Sequence, residues 1–553
     1  MIISRVAGRL GAGDLTARVD QESALFPPAT CELGGGMATA YHRRPRPAAL
    51  DIATVAHCKI GNGSAWQGYY MYAGGTNPPG EHGTQESHAT DYPNDMPPLG
   101  YDFHAPVGEA GALAASHAEL RRQHAFLAAF GPQLAEMPSS LPDVLPADVH
   151  DSTTLRWALR ADGRSGFLFL TWHQPHIPLP TYRGARFQVT LENERLLLPS
   201  RPVDIPAGTL ARWPIAMEVG DVRIDWATAS ALTVLPGEVP TLVLCAEPGI
   251  PVEVAVPAGV LVDGHPDPAD PQSGRVVHTV EPGPAPVRLL SGTRPLDLLV
   301  LPAADASAVW VAESAAGTPS DRRLLLSEDE LGWGADGRVV ARSTGSAPVA
   351  VRVYDPALRA FRPLPLQGHG PGAAVAEASV TRLRPATVAV PAVHGLRDRR
   401  QSAPSAATFD ELAAVHRLRL PAWAGRPEQD ALLRIEWAGD VAQLRIDGRP
   451  VTDRFWDGSP WLVSLRDTGC TPDSQVTLHV LPLSARSCVH LPADAAERLA
   501  DSAAQGRPAS GGTSSLTRSS DAADPDPADD GRLLAVDSVR VEGRRTWRER
   551  LPA

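Results

Sequence analysis

Two stretches in the first 140 residues repeat their apolar positions every three to four residues, as a helix buried on one face does. Asp51 to Ile60 (DIATVAHCKI) is the shorter, and it runs into Gly61-Asn62-Gly63, a strong stop. Gly111 to Met137 is longer, with Leu113, His117, Leu120, His124 and Leu127 near one face. Between them Gly68–Tyr72 reads as a short buried strand, whereas residues 1–30 show no clear element. Strand–helix alternation of this kind predicts α/β units with a parallel sheet.

After Pro138 the period shortens. Leu155–Leu159, Gly166–Trp172, Phe187–Leu191 and Arg195–Leu198 are short apolar runs bounded by turns. The same texture continues through Thr241–Cys245, Val252–Val256, Leu296–Leu301, Val309–Ala312, Arg338–Ala341 and Val349–Val353. Short strands with Pro and Gly turns predict β-sandwiches. Gln401–Thr408 is a candidate linker. Leu432–Leu465 reads as a further sandwich with an Asp447-Gly448 hairpin turn. The Ser/Gly/Asp/Pro-rich stretch from about Asp501 to Asp530 buries too little apolar surface to order itself, and Leu533–Val541 reads as one strand that folds back.

Composition narrows the class. The chain has 553 residues, too many for a single core, with 54 prolines and 48 glycines that favour turns over long helices. Its 51 basic and 63 acidic residues give a net charge of −12, which argues against nucleic acid or an anionic membrane as partner. The five cysteines (Cys31, Cys58, Cys245, Cys470, Cys488) are an odd number without a C-x-x-C pair, the pattern of free thiols in a reducing compartment. No signal-peptide pattern opens the sequence and no apolar run reaches a membrane span. The expected compartment is cytoplasmic as the sequence stands, and an export signal further upstream would change that.

Three motifs carry chemistry. Cys31-Glu32-Leu33-Gly34-Gly35-Gly36 puts a carboxylate before three glycines, as at the end of a barrel strand where backbone turns close to a ligand; alone, it also reads as a turn. Tyr69–Asn77 (YYMYAGGTN) is an aromatic strand ending in an open turn and an amide. Tyr101-Asp102-Phe103-His104-Ala105-Pro106 is an aromatic–acid–aromatic loop before the second helix. His82, His88 and His104 match no zinc spacing and read as loop histidines.

In this order and spacing the motifs resemble glycoside hydrolase family 35, the β-galactosidases. That family pairs a nucleophilic Glu with a tyrosine-rich strand ending in Gly-Gly-Thr-Asn and with a downstream Ser-Tyr-Asp-Tyr-Asp-Ala-Pro. The resemblance is close over about residues 25–137 and looser beyond. It implies a multidomain, mainly β protein in which residues 1–138 hold a partial (β/α)8 barrel, its last two strands and helices. β-Sandwich or jelly-roll domains would follow at 139–260 and 261–400, then a galactose-binding-like sandwich at 409–495, a disordered linker at 496–531 and a C-terminal strand or tail at 532–553.

The resemblance implies retaining hydrolysis of β-D-galactosyl residues with Glu32 as nucleophile and Tyr72, Asn77, Tyr101 and Phe103 around the sugar, without cofactor or metal. Such chemistry takes two carboxyl groups roughly 5–5.5 Å apart. The family's acid/base belongs to an Asn-Glu pair on the fourth barrel strand, and only 31 residues precede Glu32 here. Strands one to six would occupy on the order of 180 residues. Asn193-Glu194 lies downstream in a polar turn and does not fit the role. Phe103 and His104 depart from the family's Tyr and Asp; the lost hydroxyl would remove one hydrogen bond, worth about 1 kcal/mol.

The expected partner is a β-galactoside or polysaccharide, and the chain by itself is expected to be inactive. Two alternatives stand beside this: a non-catalytic carbohydrate-binding protein, or one half of a barrel completed by an upstream chain. Two barrel strands alone leave parallel edges bare, so residues 1–137 should be the least stable part unless they dock on the β-domains.

Overall fold

The computed structural model describes residues 27–78, 96–265, 273–313, 322–388, 391, 394, 403–505 and 532–549, apart from single positions at 193, 335, 346, 371 and 373. The protein is mainly β, with several sheets. Its N-terminal part holds β1 (Ala29–Gly34), α1 (Ala49–Gly61), β2 (Trp66–Tyr70), β3 (Gly75–Thr76), β4 (Gly100–Tyr101) and α2 (Ala115–Ala135). β1 and β2 run parallel across α1, a βαβ unit, and β3 pairs antiparallel with β4. Both expected helices form, within a few residues of the ends that the apolar pattern marks.

Local chemistry sets the helix ends. Asp51, in the first turn of α1, accepts the Ala48 backbone N–H at 2.9 Å, where a carboxylate also favours the positive end of the helix. Asn62 closes α1 by donating its side-chain amide to the Cys58 carbonyl at 2.8 Å. α2 contains Pro132, whose missing N–H leaves the Ala128 carbonyl without its helical donor. Arg322, from the β-rich part, supplies one at 3.2 Å.

Two sheets form the first sandwich. One has seven antiparallel strands in the order 275–279, 253–257, 222–227, 209–219, 166–172, 156–161, 139–140. The other has five, in the order 230–235, 241–245, 294–301, 287–291, 260–262. Phe167, Phe169, Ile224, Leu242, Leu244 and Leu298 share its core with Ile60 of α1 and with Phe126, Phe130 and Leu134 of α2. The boundary expected at 260/261 therefore falls inside this sandwich. Strands 260–301 complete its sheets, Leu289, Leu296, Leu298 and Val300 entering this core, while Leu299 and Leu301 on the other face pack with Val309 and Leu324 of the next sheet.

A four-stranded sheet follows (309–312, 323–326, 352–355, 360–363). The last sandwich joins a sheet of strands 379–384, 414–419, 476–480, 441–446 and 449–455 to one built on the C-terminal strand Ala535–Glu549. That strand lies between 339–344 and 430–438 and also receives 366–369 and 375–377, so it organises the sheet from its middle. Asp447 and Gly448 both have positive φ, the hairpin turn expected of Asp-Gly.

Two polar stretches are ordered where little structure was expected. Ala406–Leu412 is a helix capped by Ser405, whose hydroxyl accepts the Thr408 N–H, and this takes up the end of the candidate linker. Ala493–Gln505 is also helical, which corrects the disordered reading of 496–505. Its Ala495 and Leu499 pack on the last sandwich and Arg498 pairs with Asp537 at 2.9 Å, so the helix has an apolar stripe in a polar composition. Residues 506–531 lie outside the described residues. No helix among the described residues is long and apolar enough to cross a membrane.

Residues 27–78 and 96–137 dock on the β-rich part rather than standing apart. Arg160, on the first long strand of the sandwich, is buried and donates to the Met137 carbonyl at 2.6 Å, Ile60 at 2.7 Å and Leu134 at 2.5 Å. One guanidinium thereby caps the C-terminal ends of both helices, where a cation also meets the negative ends of their dipoles. Burial lowers the Arg160 pKa to about 10, so it stays charged at neutral pH. The Ile60 and Leu134 carbonyls also accept the N–H groups of Gly63 and Met137 at 3.1 Å, so Arg160→Met, which removes the shared buried donor and leaves the Met137 carbonyl without one, is expected to destabilise the protein by about 1–3 kcal/mol. Denaturant melts should show this loss, and limited proteolysis of the variant should cut first within residues 27–137; an unchanged melt and cleavage pattern would refute the capping role.

Candidate functional site

The site is built on an irregularity in the parallel pair. Ala29 and Thr30 face Trp66 and Gln67 in register, and the register resumes at Leu33 opposite Tyr69. Cys31 and Glu32 therefore stand together against the single residue Gly68, a bulge of the kind that re-aims a side chain. Gly68 is required there, since a Cβ would lie 2.7 Å from the Cys31 carbonyl oxygen. Leu33 and Tyr69 point toward the helices and pack with Ile52, Ala56 and Leu120. Glu32, Cys31, Trp66 (68% exposed) and Tyr70 (46% exposed) are left open to solvent.

Beyond Glu32 the chain passes through a narrow backbone crossing. Gly35 donates its N–H to the Tyr70 carbonyl at 3.0 Å, and Met37 donates to the Phe103 carbonyl at 2.8 Å. A Cβ on Gly35 would come within 2.7 Å of the Met71 carbonyl oxygen, and one on Gly36 within 2.5 Å of the Phe103 carbonyl oxygen. The glycine run after Glu32 is thus where all three sequence motifs touch. Residues 71 and 103 belong to the other two.

The remaining candidates divide. Tyr101 sits on β4 opposite Gly75, with its hydroxyl 2.4 Å from where a Cβ would stand on that glycine. Its ring meets Phe103 edge-on at 6.3 Å. Phe103 is buried, and both it and His104 take positive φ, which folds the loop back over Gly36. Asn77 spends its polar groups on loop closure, donating from its backbone to Leu99 and from its side chain to Pro98 at 3.3 Å. Tyr72 lies on the helix side, its ring against Tyr69, His117 and His124, and burial raises its pKa. The fold therefore sets the glycine run after Glu32 against the Phe103 backbone, and it places the Tyr72 ring and the Asn77 amide elsewhere.

Beneath that loop lies an ionic cluster without a local sequence signal, since half of it comes from the last sandwich. His104 Nε2 meets Asp457 at 2.7 Å, and Arg454 lies 3.5 Å from Asp102 and 3.6 Å from Asp457. Burial opposes ionisation of Asp457, but Arg454, His104 and Ser459 together hold it well below the usual carboxylate range. Asp453 accepts the N–H groups of Leu99 and Gly100 at 3.0 and 2.8 Å, yet its burial raises it to about 7. Glu109 accepts the hydroxyls of Thr76 at 2.5 Å and Thr452 at 2.7 Å. Burial, aided by Asp102 and Asp453, pushes it to about 7 against those two hydrogen bonds. His104 is thus paired with an acid from the last sandwich.

Other polar candidates have structural partners. Glu194 is paired with Arg223 and with Arg275, the latter at 2.8 Å, and Asn193 lies outside the described residues. His173 meets Asp51 at 2.8 Å. His82 and His88 also lie outside the described residues. Among the described residues no group of three or more His, Cys, Asp or Glu side chains is placed to hold a metal.

The cluster makes pH a probe of docking. A carboxyl raised on folding favours the folded state while protonated; this stability is complete below its ordinary value of 4.5 and is lost as pH rises through about 7. Glu109→Gln stays neutral throughout, so its stability relative to the parent is expected to rise between pH 5 and 8 by on the order of 2 kcal/mol. Taking the difference between variant and parent cancels the buried histidines, which titrate with the opposite sign in this window. A difference that is flat with pH in thermal or denaturant melts would refute the buried acid.

Neither the protein-family models nor the curated proteins give a match to this chain, so its functional reading rests on the residues themselves.

Proposed function

We propose that residues 27–137 form part of a (β/α)8-type catalytic domain of a retaining β-galactoside hydrolase, with Glu32 as its nucleophile. The observation that carries this reading is the open face of β1 and β2. Glu32 projects there from a bulge, beside the exposed rings of Trp66 and Tyr70, on a parallel pair that no further described strand extends. Parallel strands are normally covered on both faces, and α1 and α2 cover only one. The other face has the chemistry of an inner barrel wall: a carboxylate for the anomeric carbon and aromatic rings for the apolar face of a pyranose.

In this reading Glu32 attacks the anomeric carbon as the glycosidic bond breaks, giving a glycosyl ester that water later hydrolyses. The Tyr101–Phe103 loop, held against Gly36, forms the adjoining wall of the sugar pocket. The second carboxyl must protonate the leaving oxygen and then activate water from roughly 5–5.5 Å away. It would come from the polypeptide that completes the sheet, whether a further length of the same protein or a separate chain.

General acid–base catalysis contributes roughly 10²–10⁴-fold, and here the strands that would enclose the substrate are needed as well. The 553-residue chain alone is therefore expected to give no measurable turnover of an aryl β-galactoside. Supplying the complementary barrel strands should produce hydrolysis that Glu32→Gln abolishes. Turnover by the chain alone that Glu32→Gln removes would overturn the need for completion, and hydrolysis on completion that survives Glu32→Gln would overturn the nucleophile. The alternative, a non-catalytic carbohydrate-binding protein, is favoured by the exposed rings of Trp66 and Tyr70. It predicts galactoside binding by the chain alone and no hydrolysis on completion.

A further inference from the structure

On the helix side of β1 and β2, away from Glu32, a cleft of about 350 Å³ opens where α2 meets the strands 309–312 and 330–333. We propose that it is a second binding site, which takes one neutral sugar ring. Its walls are Tyr72, His117, Arg121, Trp310, Glu313 and Trp333.

The aromatic wall is held in place. Trp310 is buried and donates its indole N–H to the Ser327 carbonyl at 3.0 Å. The Arg121 guanidinium lies over its ring, 3.4 Å from the centre, and is itself fixed by the carbonyls of Val309 at 2.8 Å and Ser307 at 2.7 Å. Trp333 stands edge-on to Trp310 at 6.4 Å and 90°, and it stays 39% exposed, so one large ring is presented to the cleft. An exposed tryptophan on a rigid support is an apolar platform for the C–H face of a pyranose. The volume is within the range of small-molecule pockets.

The polar lining selects against charge. Arg121 is stacked and each of its three nitrogens makes a hydrogen bond, and Glu313 is paired with Arg322 at 2.5 Å. His117 accepts from Arg121 at Nδ1 (3.3 Å), which leaves the proton on Nε2, and burial with Arg121 lowers its pKa to about 4. At neutral pH the cleft therefore combines aromatic surface, a phenol and the neutral imidazoles of His117 and His124, the latter bonded to the Tyr69 hydroxyl at 3.1 Å, with one cation and one anion that are each already partnered. Glu313 is balanced by Arg322 and the Arg121 guanidinium is committed to Trp310 and two carbonyls, so neither offers an open ion pair to a charged ligand, and a neutral polyhydroxylated ring needs none.

The test is calorimetric titration of the full chain with methyl β-D-galactopyranoside, methyl β-D-glucopyranoside and methyl β-D-glucuronide. At least one of the two neutral glycosides is expected to bind saturably, and the glucuronide at least tenfold more weakly. Trp333→Ala should weaken the neutral glycoside at least tenfold and Tyr72→Phe severalfold, while Glu32→Gln leaves it unchanged. Because Tyr72→Phe removes a single oxygen, it tests the site even if Trp333→Ala fails to fold. The proposal is overturned if neither neutral glycoside binds, if the glucuronide binds as tightly, or if folded Trp333→Ala and Tyr72→Phe both bind like the parent. Loss of binding in Glu32→Gln would overturn it too, by moving the ligand to the other face of the sheet.

Discussion

The arrangement of the N-terminal part depends on one buried cation. Arg160 reaches from the sandwich into the gap where α1 and α2 both end and donates to the carbonyls of Ile60, Leu134 and Met137, the first two of which otherwise have only the N–H of a closing turn. Helix ends leave such groups bare, and burying them without donors would cost more than the contact gains. With the guanidinium in place, Phe126, Phe130, Leu134 and Ile60 join the sandwich core and the two helices become its outer layer. The βαβ unit is stable because its helices belong to a neighbouring core, although its sheet has only two strands.

The opposite end of the same segment is held by charge. Arg44 is fully buried; it donates to the carbonyls of Asp440 and Trp456 at 2.8 and 3.1 Å and meets the Asp440 carboxylate at 2.5 Å, while Tyr41 donates to Asp440 at 2.7 Å. The Arg454 cluster holds the Tyr101–His104 loop in the same way. Buried pairs of this kind add little net stability over apolar packing, but breaking one leaves an uncompensated charge, so they enforce a single docking geometry. The loop that crosses the glycine run after Glu32 thus takes its position from side chains more than 300 residues away in sequence.

The two faces of β1 and β2 differ chemically for a simple reason. Strand alternation sends Leu33 and Tyr69 to the helices and leaves Glu32, Trp66 and Tyr70 on the other side. One face is finished by packing within the chain, and the cleft between α2 and the Trp310 sheet is part of that finish. The other face has the composition of a wall and has not been covered by any described strand. The proposed hydrolytic reading and the proposed neutral-sugar cleft therefore rest on separate surfaces and separate side chains.

Local pattern sufficed wherever the physics is local. The apolar spacing of Asp51–Ile60, the continuous apolar run Gly166–Trp172 and the Asp447-Gly448 turn each specify their element within ten or so residues, and the glycines after Glu32 mark a close backbone crossing. Other features were not legible. The 260/261 boundary, the helix at 493–505 and the placing of Ala535–Glu549 in mid-sheet depend on which apolar face finds which core. Tyr72 shows the limit most clearly: its neighbours name a motif, but alternation and the turn at Met71 decide that its ring faces α2. The sequence alone determined the two N-terminal helices, the strongly apolar strands and the residue types around Glu32. Only the tertiary structure decided which of them meet, because the partners that position them — Arg160, Asp440, Arg454 and Asp457 — act across separations that leave no periodic trace in the chain.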